Sequence, residues 1–402
     1  MIKVAYTNAT SYELDTVKEA LKVLFNSLGY DTTNPLGHII KPGMRVFLKP
    51  NWVASKWRES CNHKDDLFCV ITHPNVIEAV ADFVDIALDG CGMISIGDNP
   101  SIDANFEELL INTKIERLRT KYRVPCEILD LRPLVCKDLH DYGDKEKMCA
   151  QMGDPRGYTQ VNLSKKSLFN KVNSKLFRGV FKQRAETIKA HTGNRQLYTF
   201  SNSIYDADVF ISLPKMKTHH KSGTTLNLKG LVGTIGQKNQ LIHWRVGFPL
   251  IGGDEYSSFW QWVKGTFFTG VKSRGSWHGN DTIWRMVVDL YSGMILKKRG
   301  YFSIVDGILA GEGDGPFCPH SKKANTLIAG EDFLAVDIVT SKLMGFNPLK
   351  IPYLNHFIKN NSKILKEIVV LNKCEVRSDF LFSDNSYLNF VPPTSWKILK
   401  GN

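Results

Sequence analysis

Protonatable side chains are concentrated in one stretch of this chain, residues 208–243. The stretch opens with an apolar run, Val209 to Leu213, that is typical of a buried strand. Lysines and histidines follow on a scaffold rich in glycine, threonine and serine: Lys215, Lys217, His219, His220, Lys221, Lys229, Lys238 and His243. Ligands of open α/β sheets bind at the carboxyl ends of the strands. The sequence therefore predicts a functional site directly after this strand.

His219, Lys229 and His243 have side chains suited to moving a proton. Imidazole titrates near neutral pH, and an amine in a dry pocket loses proton affinity and becomes a base or a nucleophile. Neighbouring glycines let the backbone approach a ligand closely. We predict that these three residues are catalytic. The alternative interpretation is a basic loop that binds phosphate or carboxylate without chemistry.

Polar residues follow other predicted strands as well. Because parallel strands end at one edge of a sheet, these groups are expected to converge on one crevice. Substrate binding is predicted for Lys49, Asn51, His73, Lys215 and Lys217. His73 also fits a helix start before Pro74. The net charge of +12 favours an anionic small molecule as the partner.

Carboxylates at the same strand ends would offer hard oxygen ligands to a divalent metal such as Mg²⁺ or Mn²⁺. The predicted metal ligands are Asp98, Asp306, Glu312 and Asp314. Asp98, Glu312 and Asp314 are equally consistent with turn residues, and Asp98 and Asp306 could instead position substrate hydroxyls. The sequence leaves the identity of any cofactor open.

The eight cysteines are scattered, without a C-x-x-C pair: Cys61, Cys69, Cys91, Cys126, Cys136, Cys149, Cys318 and Cys374. Zinc ribbons and iron–sulfur clusters normally use such close spacing, so neither is expected. We predict reduced thiols, several of them buried.

Strand and helix patterns alternate along the first third of the chain. Met93 to Ile96 and Cys126 to Leu129 predict strands, and Asn105 to Tyr122 predicts a helix between them. Alternation of this kind predicts an α/β fold with a mostly parallel sheet or sheets and helices on both faces, in two lobes or one large domain with insertions. The predicted units are an N-terminal α/β lobe (1–140), a basic helical insertion (141–200), a second α/β lobe with the His/Lys motif (201–350) and a C-terminal tail element (351–402).

Residues 164–189 carry eight Lys or Arg residues and one acidic residue, Glu186. Apolar residues recur in this segment every four positions, at Leu168, Val172, Leu176 and Val180. The pattern predicts a basic amphipathic helix that covers the sheet or contacts a membrane surface or an anionic polymer. Nucleic acid is not expected, because the basic residues of the chain interleave with glycines rather than with stacking aromatics.

Residues 1–15 lack the charged-then-apolar pattern of a signal peptide, and no apolar run approaches the roughly 20 residues of a membrane span. We expect a cytoplasmic protein, with residues 164–189 as the candidate for a peripheral membrane contact.

Short motifs between Arg45 and Gly345 resemble, in order and spacing, the bacterial and archaeal family catalogued as domain of unknown function 362. The motifs are Lys49-Pro50-Asn51, Thr72-His73-Pro74, Gly97-Asp98, Leu213 to His219, Leu228 to Gly233, Val305-Asp306-Gly307, Gly313 to Pro316 and Ala335-Val336-Asp337. The resemblance implies an α/β fold and does not identify an established reaction.

Two further segments, Gly252 to Tyr256 and Trp277 to Thr282, look like those of members found beside surface-polysaccharide genes. The chain departs from many relatives in lacking a four-iron cluster segment and in having Gly230 where they have Asn.

The chain has a more distant similarity to the nickel-pincer lactate racemases, in which a His, a Gly/Ser-rich loop, a Lys and another His occur in comparable order. In those enzymes the lysine tethers the cofactor, and the histidines shuttle a proton or bind nickel. The similarity implies proton chemistry at His219, Lys229 and His243 and is not extended to nickel.

These features predict an enzyme that acts on an anionic small metabolite or an activated sugar by proton transfer at carbon, as an isomerase, epimerase or lyase. Surface-polysaccharide synthesis is the pathway that the resemblance suggests. The alternative is a non-catalytic protein that binds an anion, a glycan or a membrane surface.

Overall fold

A computed structural model describes residues 1–137, 143–268, 274–383 and 387–400. The strands of its large central sheet are β1 (Ile2–Asn8), β2 (Arg45–Pro50), β3 (Met93–Asp98), β4 (Cys126–Asp130), β10 (Val209–Leu213), β11 (Lys215–His219), β12 (Gly223–Thr224), β14 (Gly300–Glu312), β15 (His320–Gly330), β16 (Ile368–Asn372) and β17 (Glu375–Val376). Short strands form two-stranded sheets outside it: β5 (Leu134–Val135), β6 (Cys149–Ala150), β7 (Tyr158–Asn162), β8 (Phe177–Arg178), β9 (Leu197–Ser201) and β13 (Trp244–Arg245).

The strand order of the central sheet is β17-β16-β1-β15-β14-β10-β2-β3-β4, with β11 and β12 attached beside β14. The neighbours β14, β10, β2, β3 and β4 are all parallel, whereas β15 runs antiparallel to both β14 and β1. The predicted α/β fold with a mostly parallel sheet is therefore confirmed. The carboxyl ends of β2, β3 and β10 lie at one edge.

Helices cover both faces of this sheet. The helices of the described residues are α1 (Leu14–Leu28), α2 (Pro74–Leu88), α3 (Phe106–Thr113), α4 (Ala185–Ala190), α5 (Asn202–Tyr205), α6 (Leu226–Gly230), α7 (Phe259–Phe267), α8 (Ile283–Met294), α9 (Phe333–Leu343), α10 (Pro352–Asn360) and α11 (Ile364–Glu367). Side chains alternate along each strand. Phe47 and Phe210 accordingly pack in one core cluster with α6, α8 and α9, while Leu48 and Ile211 pack in the other with α1 and α2. No helix in the described parts has the length and apolar character needed to cross a bilayer.

The predicted strands at Met93 and Cys126 are present as β3 and β4. The predicted helix between them is interrupted at Lys114, whose φ of 52° is left-handed, and continues only as a 3-10 turn at Ile115–Thr120. A left-handed residue ends an α-helix because it cannot continue the hydrogen-bond ladder.

The continuous helix predicted over residues 164–189 is wrong. The segment contains 3-10 turns, the strand β8 and part of α4. The Asn173 side chain accepts the backbone N–H of Lys175, and such local bonds compete with helical ones. Three aromatic residues of the segment are buried in the core: Phe169, Phe177 and Phe181. The four-residue spacing therefore reflects tertiary packing rather than a helix.

The predicted division into lobes stays a prediction, but strands from residues 1–140 and 201–350 share one sheet. Residues 351–402, expected as a tail element, add β16 to that sheet in parallel with β1. Further along, the buried Trp396 donates its indole N–H to the His220 carbonyl at 2.7 Å. Gly223, at φ +82°, lies against this ring, where a Cβ would be 3.4 Å from it.

A fully buried ion pair joins β11 to β14. Lys215 and Asp306 are register partners, neither side chain is exposed, and the ammonium lies 2.7 Å from the carboxylate. Tyr12 donates its hydroxyl to Asp306 at 2.8 Å, and the His73 backbone N–H donates to the other carboxylate oxygen at 3.0 Å. Each charge in this cluster compensates the other, so removing one partner would leave the other buried and uncompensated.

We expect Asp306→Asn to lower the free energy of unfolding by about 3–5 kcal/mol, because it leaves the Lys215 ammonium buried without its charge partner. Urea unfolding followed by circular dichroism measures the change. Asp379→Asn, at an exposed position, is the matched control and should change stability by less than about 0.5 kcal/mol. Equal stability of Asp306→Asn and the control would contradict the assignment.

Candidate functional site

A cavity of about 510 Å³ opens where β2 and β3 end, which is a volume typical of small-molecule pockets. The segment from β11 through α6 forms much of its wall, and residues 314–318 form another part. Of the residues predicted for the site, the structure places these around the cavity: Lys49, Asn51, Asp98, Lys217, His219, Lys229, His243 and Asp314.

The ionisable groups in the cavity wall are mostly basic. They comprise five lysines, three histidines, two arginines and two aspartates: Lys49, Lys217, Lys221, Lys229, Lys238, His219, His220, His243, Arg58, Arg274, Asp98 and Asp314. Four of the lysines are buried and Lys221 is half-buried. Burial disfavours a charged amine unless something compensates it, so the partners of each amine decide what the cavity does.

Lys49 has a carboxylate partner, Asp98, whose Oδ1 lies 2.8 Å from its Nζ. Asp98 also accepts the backbone N–H groups of Trp52 and Asn99, each at 2.8 Å. The pair requires Gly233 beside it, because a Cβ there would lie 2.1 Å from the carboxylate and 2.7 Å from the ammonium. Asp98 is thus occupied by one cation and two N–H donors rather than presented as a free metal ligand.

Lys217 and Lys238 are held by neutral acceptors. The Lys217 Nζ donates to the Val70 carbonyl at 2.6 Å and the Asn51 side-chain oxygen at 3.2 Å. The Lys238 Nζ donates to the Asn99 carbonyl at 3.0 Å. Burial lowers the pKa of each lysine to about 7. Both amines are therefore about half protonated at neutral pH.

Lys229 and Lys221 have fewer partners still. Within the described parts of the chain, the Lys229 Nζ has neither a hydrogen bond nor an ion pair, and Lys221 lies over the Trp244 ring at 4.5 Å. Burial and the nearby Lys49 ammonium lower the pKa of Lys229 to about 8. Burial and Lys229 lower the pKa of Lys221 to about 7. An amine with a pKa near neutrality can act as an acid or a base.

The hydrogen bonds of His219 and His243 assign opposite tautomers to the two rings. The Lys221 backbone N–H donates to Nδ1 of His219 at 3.0 Å, so the proton of the neutral ring is on Nε2. Nδ1 of His243 donates to the Leu241 carbonyl at 2.8 Å, so its Nε2 keeps a lone pair. Burial and nearby lysines lower the pKa of His219 well below 6.5 and that of His243 to about 3. Both rings are neutral at pH 7, one able to donate and the other to accept.

The helix that carries Lys229 is anchored by Asp337 on α9. This buried carboxylate accepts the backbone N–H groups of Asn227 and Leu228, each at 2.9 Å, at the start of α6. Leu226, which precedes them, has a φ of +49°, an unfavourable value for a branched residue. The Ala335-Val336-Asp337 motif therefore positions the lysine through the backbone of α6.

Four predicted site residues do not line the cavity. His73, Lys215 and Asp306 belong to the buried cluster described above, and His73 also begins α2, where its Nδ1 accepts the Asn75 N–H at 3.1 Å. Glu312 accepts the Val391 N–H and pairs with Lys322 at 3.0 Å.

Asp314 lines the cavity but is exposed, and its two oxygens accept the Thr394 N–H and hydroxyl at 2.8 and 2.7 Å. Asp98, Asp306, Glu312 and Asp314 do not form a shared group of ligand atoms among the described residues, and their role as metal ligands stays a prediction. Each carboxylate is already satisfied by other groups, which topology alone does not reveal.

One side of the cavity consists of residues that no sequence pattern indicated. Arg58 pairs with Asp103 at 2.8 Å and lies 3.4 Å over the Phe317 ring. Cys61 and Cys318 form a disulfide across 257 residues, which corrects the prediction that all thiols are reduced. No local spacing signals a pairing over that distance.

Comparisons with known proteins give three findings. The chain is 24% identical over 353 residues to the thylakoid-associated protein sll1697 of Synechocystis sp. (strain ATCC 27184 / PCC 6803 / Kazusa), covering 88% of this chain and 78% of that protein. The lactate racemase apoprotein from Thermoanaerobacterium thermosaccharolyticum matches with a TM-score of 0.39 and 11% identity, over 85% of this chain and 57% of that one. Residues 166–342 match the family model described as Domain of unknown function (DUF362), in agreement with the resemblance of the motifs.

Proposed function

We propose that this protein is an enzyme that binds an anionic small molecule in the cavity and transfers a proton at carbon. The observation that carries the proposal is the desolvated group of lysines, of which only Lys49 has a carboxylate in ion-pair contact among the described residues. A phosphate or carboxylate in the cavity would supply the missing charge to Lys217, Lys221 and Lys238 and restore their proton affinity, while Lys229 would face the substrate carbon as the neutral amine. Binding of an anion and protonation of the lysines are thus one coupled process.

The catalytic step follows from the proton positions. His219 presents an N–H that can donate to a substrate oxygen as negative charge develops on it. Lys229 has no hydrogen-bond or ion-pair partner among the described residues, and its pKa of about 8 suits removal and return of a proton. His243 offers a second acceptor through Nε2. An isomerase or epimerase can return the proton with the same group that removes it or with a second one, and a lyase must also release its leaving group. We assign the removal to Lys229.

We expect the affinity for sulfate, an anion that does not titrate in this range, to fall roughly tenfold or more between pH 6.5 and pH 9. The free cavity loses protons as the pH rises through about 7, the pKa of Lys217, Lys221 and Lys238, the three lysines proposed to bind the anion. A bound anion raises those pKa values, so the complex holds more protons and is favoured at the lower pH. Isothermal titration calorimetry in two buffers of different ionisation enthalpy measures both affinity and proton uptake.

A second titration uses Lys238→Met. This variant lacks one of the titrating amines, so it should take up fewer protons than the wild type on binding sulfate. A sulfate affinity that is independent of pH would show that the lysines are not the binding groups.

Proton transfer at carbon predicts exchange of a substrate C–H with solvent. We expect the protein in D₂O to remove the corresponding ¹H NMR signal from at least one member of a panel of phosphorylated and carboxylated metabolites. Lys229→Met should slow this exchange by about 100-fold or more, because it deletes the acid/base group. Its melting temperature should stay equal or rise, because the change removes a buried charge while keeping the shape.

Lys264→Met, at an exposed position on α7, is the matched control and should exchange at the wild-type rate. If sulfate binds with the expected pH dependence but no panel member exchanges, the protein binds anions without this chemistry.

A second candidate function is docking on an anionic membrane surface, and exposed apolar side chains favour it. In and beside α7, Trp260 and Phe267 are each 71% exposed, and Leu250 is 91% exposed. Leu176, in the basic segment 164–189, lies beside Gly252, so positive charge and apolar surface are neighbours. Apolar side chains and positive charge together are what an amphipathic surface needs at a lipid interface. The relative that is named thylakoid-associated agrees with this candidate.

Docking predicts that the protein sediments with vesicles made of equal amounts of phosphatidylglycerol and phosphatidylcholine, and less so at high salt. Trp260→Ala should weaken sedimentation several-fold, because it removes a large side chain from the interface. Met152→Ala, an 83% exposed apolar residue elsewhere, should leave it unchanged. Equal sedimentation of both variants would reject this surface.

A further inference from the structure

Two histidines and an aspartate outside the cavity wall form a second cluster. His63, Asp65 and His320 each offer one ligand atom, and these atoms lie within 4.8 Å of one another. The cluster is reached from solvent, since His320 is exposed and the other two residues are half-buried. None of the three lines the cavity, so the proton-transfer proposal does not use them.

The backbone holds this cluster together from both sides. The Cys61–Cys318 disulfide joins the two segments, and each histidine follows its cysteine by two residues. The two imidazoles stack in parallel with centroids 3.8 Å apart. Asp65 accepts the Ser321 backbone N–H at 2.7 Å, which ties its carboxylate to the segment that carries His320. The three residues are therefore held close together before any ion arrives.

Both ring nitrogens of His63 face hydrogen-bond acceptors. Its Nδ1 lies 3.0 Å from the Asn62 side-chain oxygen and its Nε2 lies 3.1 Å from the Pro319 carbonyl oxygen, and both of these atoms are acceptors. A neutral imidazole has one N–H and satisfies one of them. The lone pair of its other nitrogen is left for an electrophile. A ligating histidine commonly uses its second nitrogen to donate to an oxygen of this kind.

We propose that His63, Asp65 and His320 bind a divalent transition metal ion, with zinc as the reference ion. Two imidazoles and one carboxylate are a ligand set that zinc accepts, with water in the fourth position. Ligand atoms around zinc lie about 3.4 Å apart for bonds of about 2.0–2.1 Å, so side-chain rotations close the present arrangement onto the ion. Mg²⁺ and Ca²⁺ are disfavoured, because they take oxygen rather than imidazole ligands.

The bound ion would fasten the loop of residues 57–66 to the start of β15. That loop also carries Arg58 to the cavity wall and Cys61 to the disulfide. Trp57 donates its indole N–H to the Asp65 carbonyl at 2.8 Å, so the ligand residue and the loop are already coupled. The ion is in a structural position and takes no part in the proton transfer.

Calorimetric titration of the full chain with zinc chloride, after treatment with and removal of a chelator and without reductant, tests the proposal. We expect one zinc site in the wild type that His320→Ala weakens at least tenfold. Asp65→Asn, which keeps the Ser321 contact, should also weaken it. Zinc should raise the melting temperature of the wild type and not that of His320→Ala, because binding stabilises only a fold that holds the site.

His38→Ala is the matched control, since His38 is a partly exposed histidine whose Nε2 lies 2.9 Å from the Glu331 carboxylate. It should bind zinc as the wild type does. With cobalt in place of zinc, the visible absorption bands should be present in the wild type and absent in His320→Ala. Zinc affinity that is the same in His320→Ala and the wild type, or absent from the wild type, would overturn the proposal, and neither result bears on the lysine cavity.

Discussion

Burial of amines without matching carboxylates is the physical constraint on which the candidate site depends. Lys49 has Asp98, whereas Lys217 and Lys238 have only neutral oxygens, and Lys229 has no polar partner in the described residues. These buried lysines destabilise the folded state, and they persist because the surrounding fold is stable enough to tolerate them. The sheet supplies that stability through a continuous core on both faces.

The same constraint explains why backbone groups are so prominent around the cavity. The carbonyls of Val70 and Asn99 accept hydrogen bonds from lysines. The backbone N–H groups of Trp52 and Asn99 donate hydrogen bonds to Asp98. Backbone dipoles cannot titrate or rotate away, so they fix the amines while leaving their protons exchangeable. Carboxylates in the same places would have held each lysine charged. The protonation of the lysines in the cavity wall would therefore change when a negatively charged ligand binds.

Much of the fold and the centre of the site could be predicted from the sequence because they follow from local pattern. The apolar run of β10 and the alternation around β3 and β4 set strands in parallel, and strand ends then meet at one edge. His219, Lys229 and His243 could be predicted to lie at a site because a glycine-rich polar segment directly after a buried strand seldom occurs without a function. Other features depend on contacts between distant residues. The partner of Asp306 is Lys215, the cysteine pair spans most of the chain, and Asp337 acts on α6 from α9. The spacing in residues 164–189 does not reflect a helix, because Leu168 and Val172 pack against the core from irregular backbone between two 3-10 turns.

The position of Trp396 has a consequence for how the protein is made. Its ring lies against Gly223 and its indole binds the backbone beside the histidines of β11, so one side of the cavity wall rests on a residue synthesised long after the strand it supports. During translation, the lysine-lined pocket cannot reach its final shape until this tryptophan has left the ribosome. A nascent chain that already holds the earlier strands of the central sheet would thus remain without a finished pocket, and ligand capture would follow the docking of Trp396.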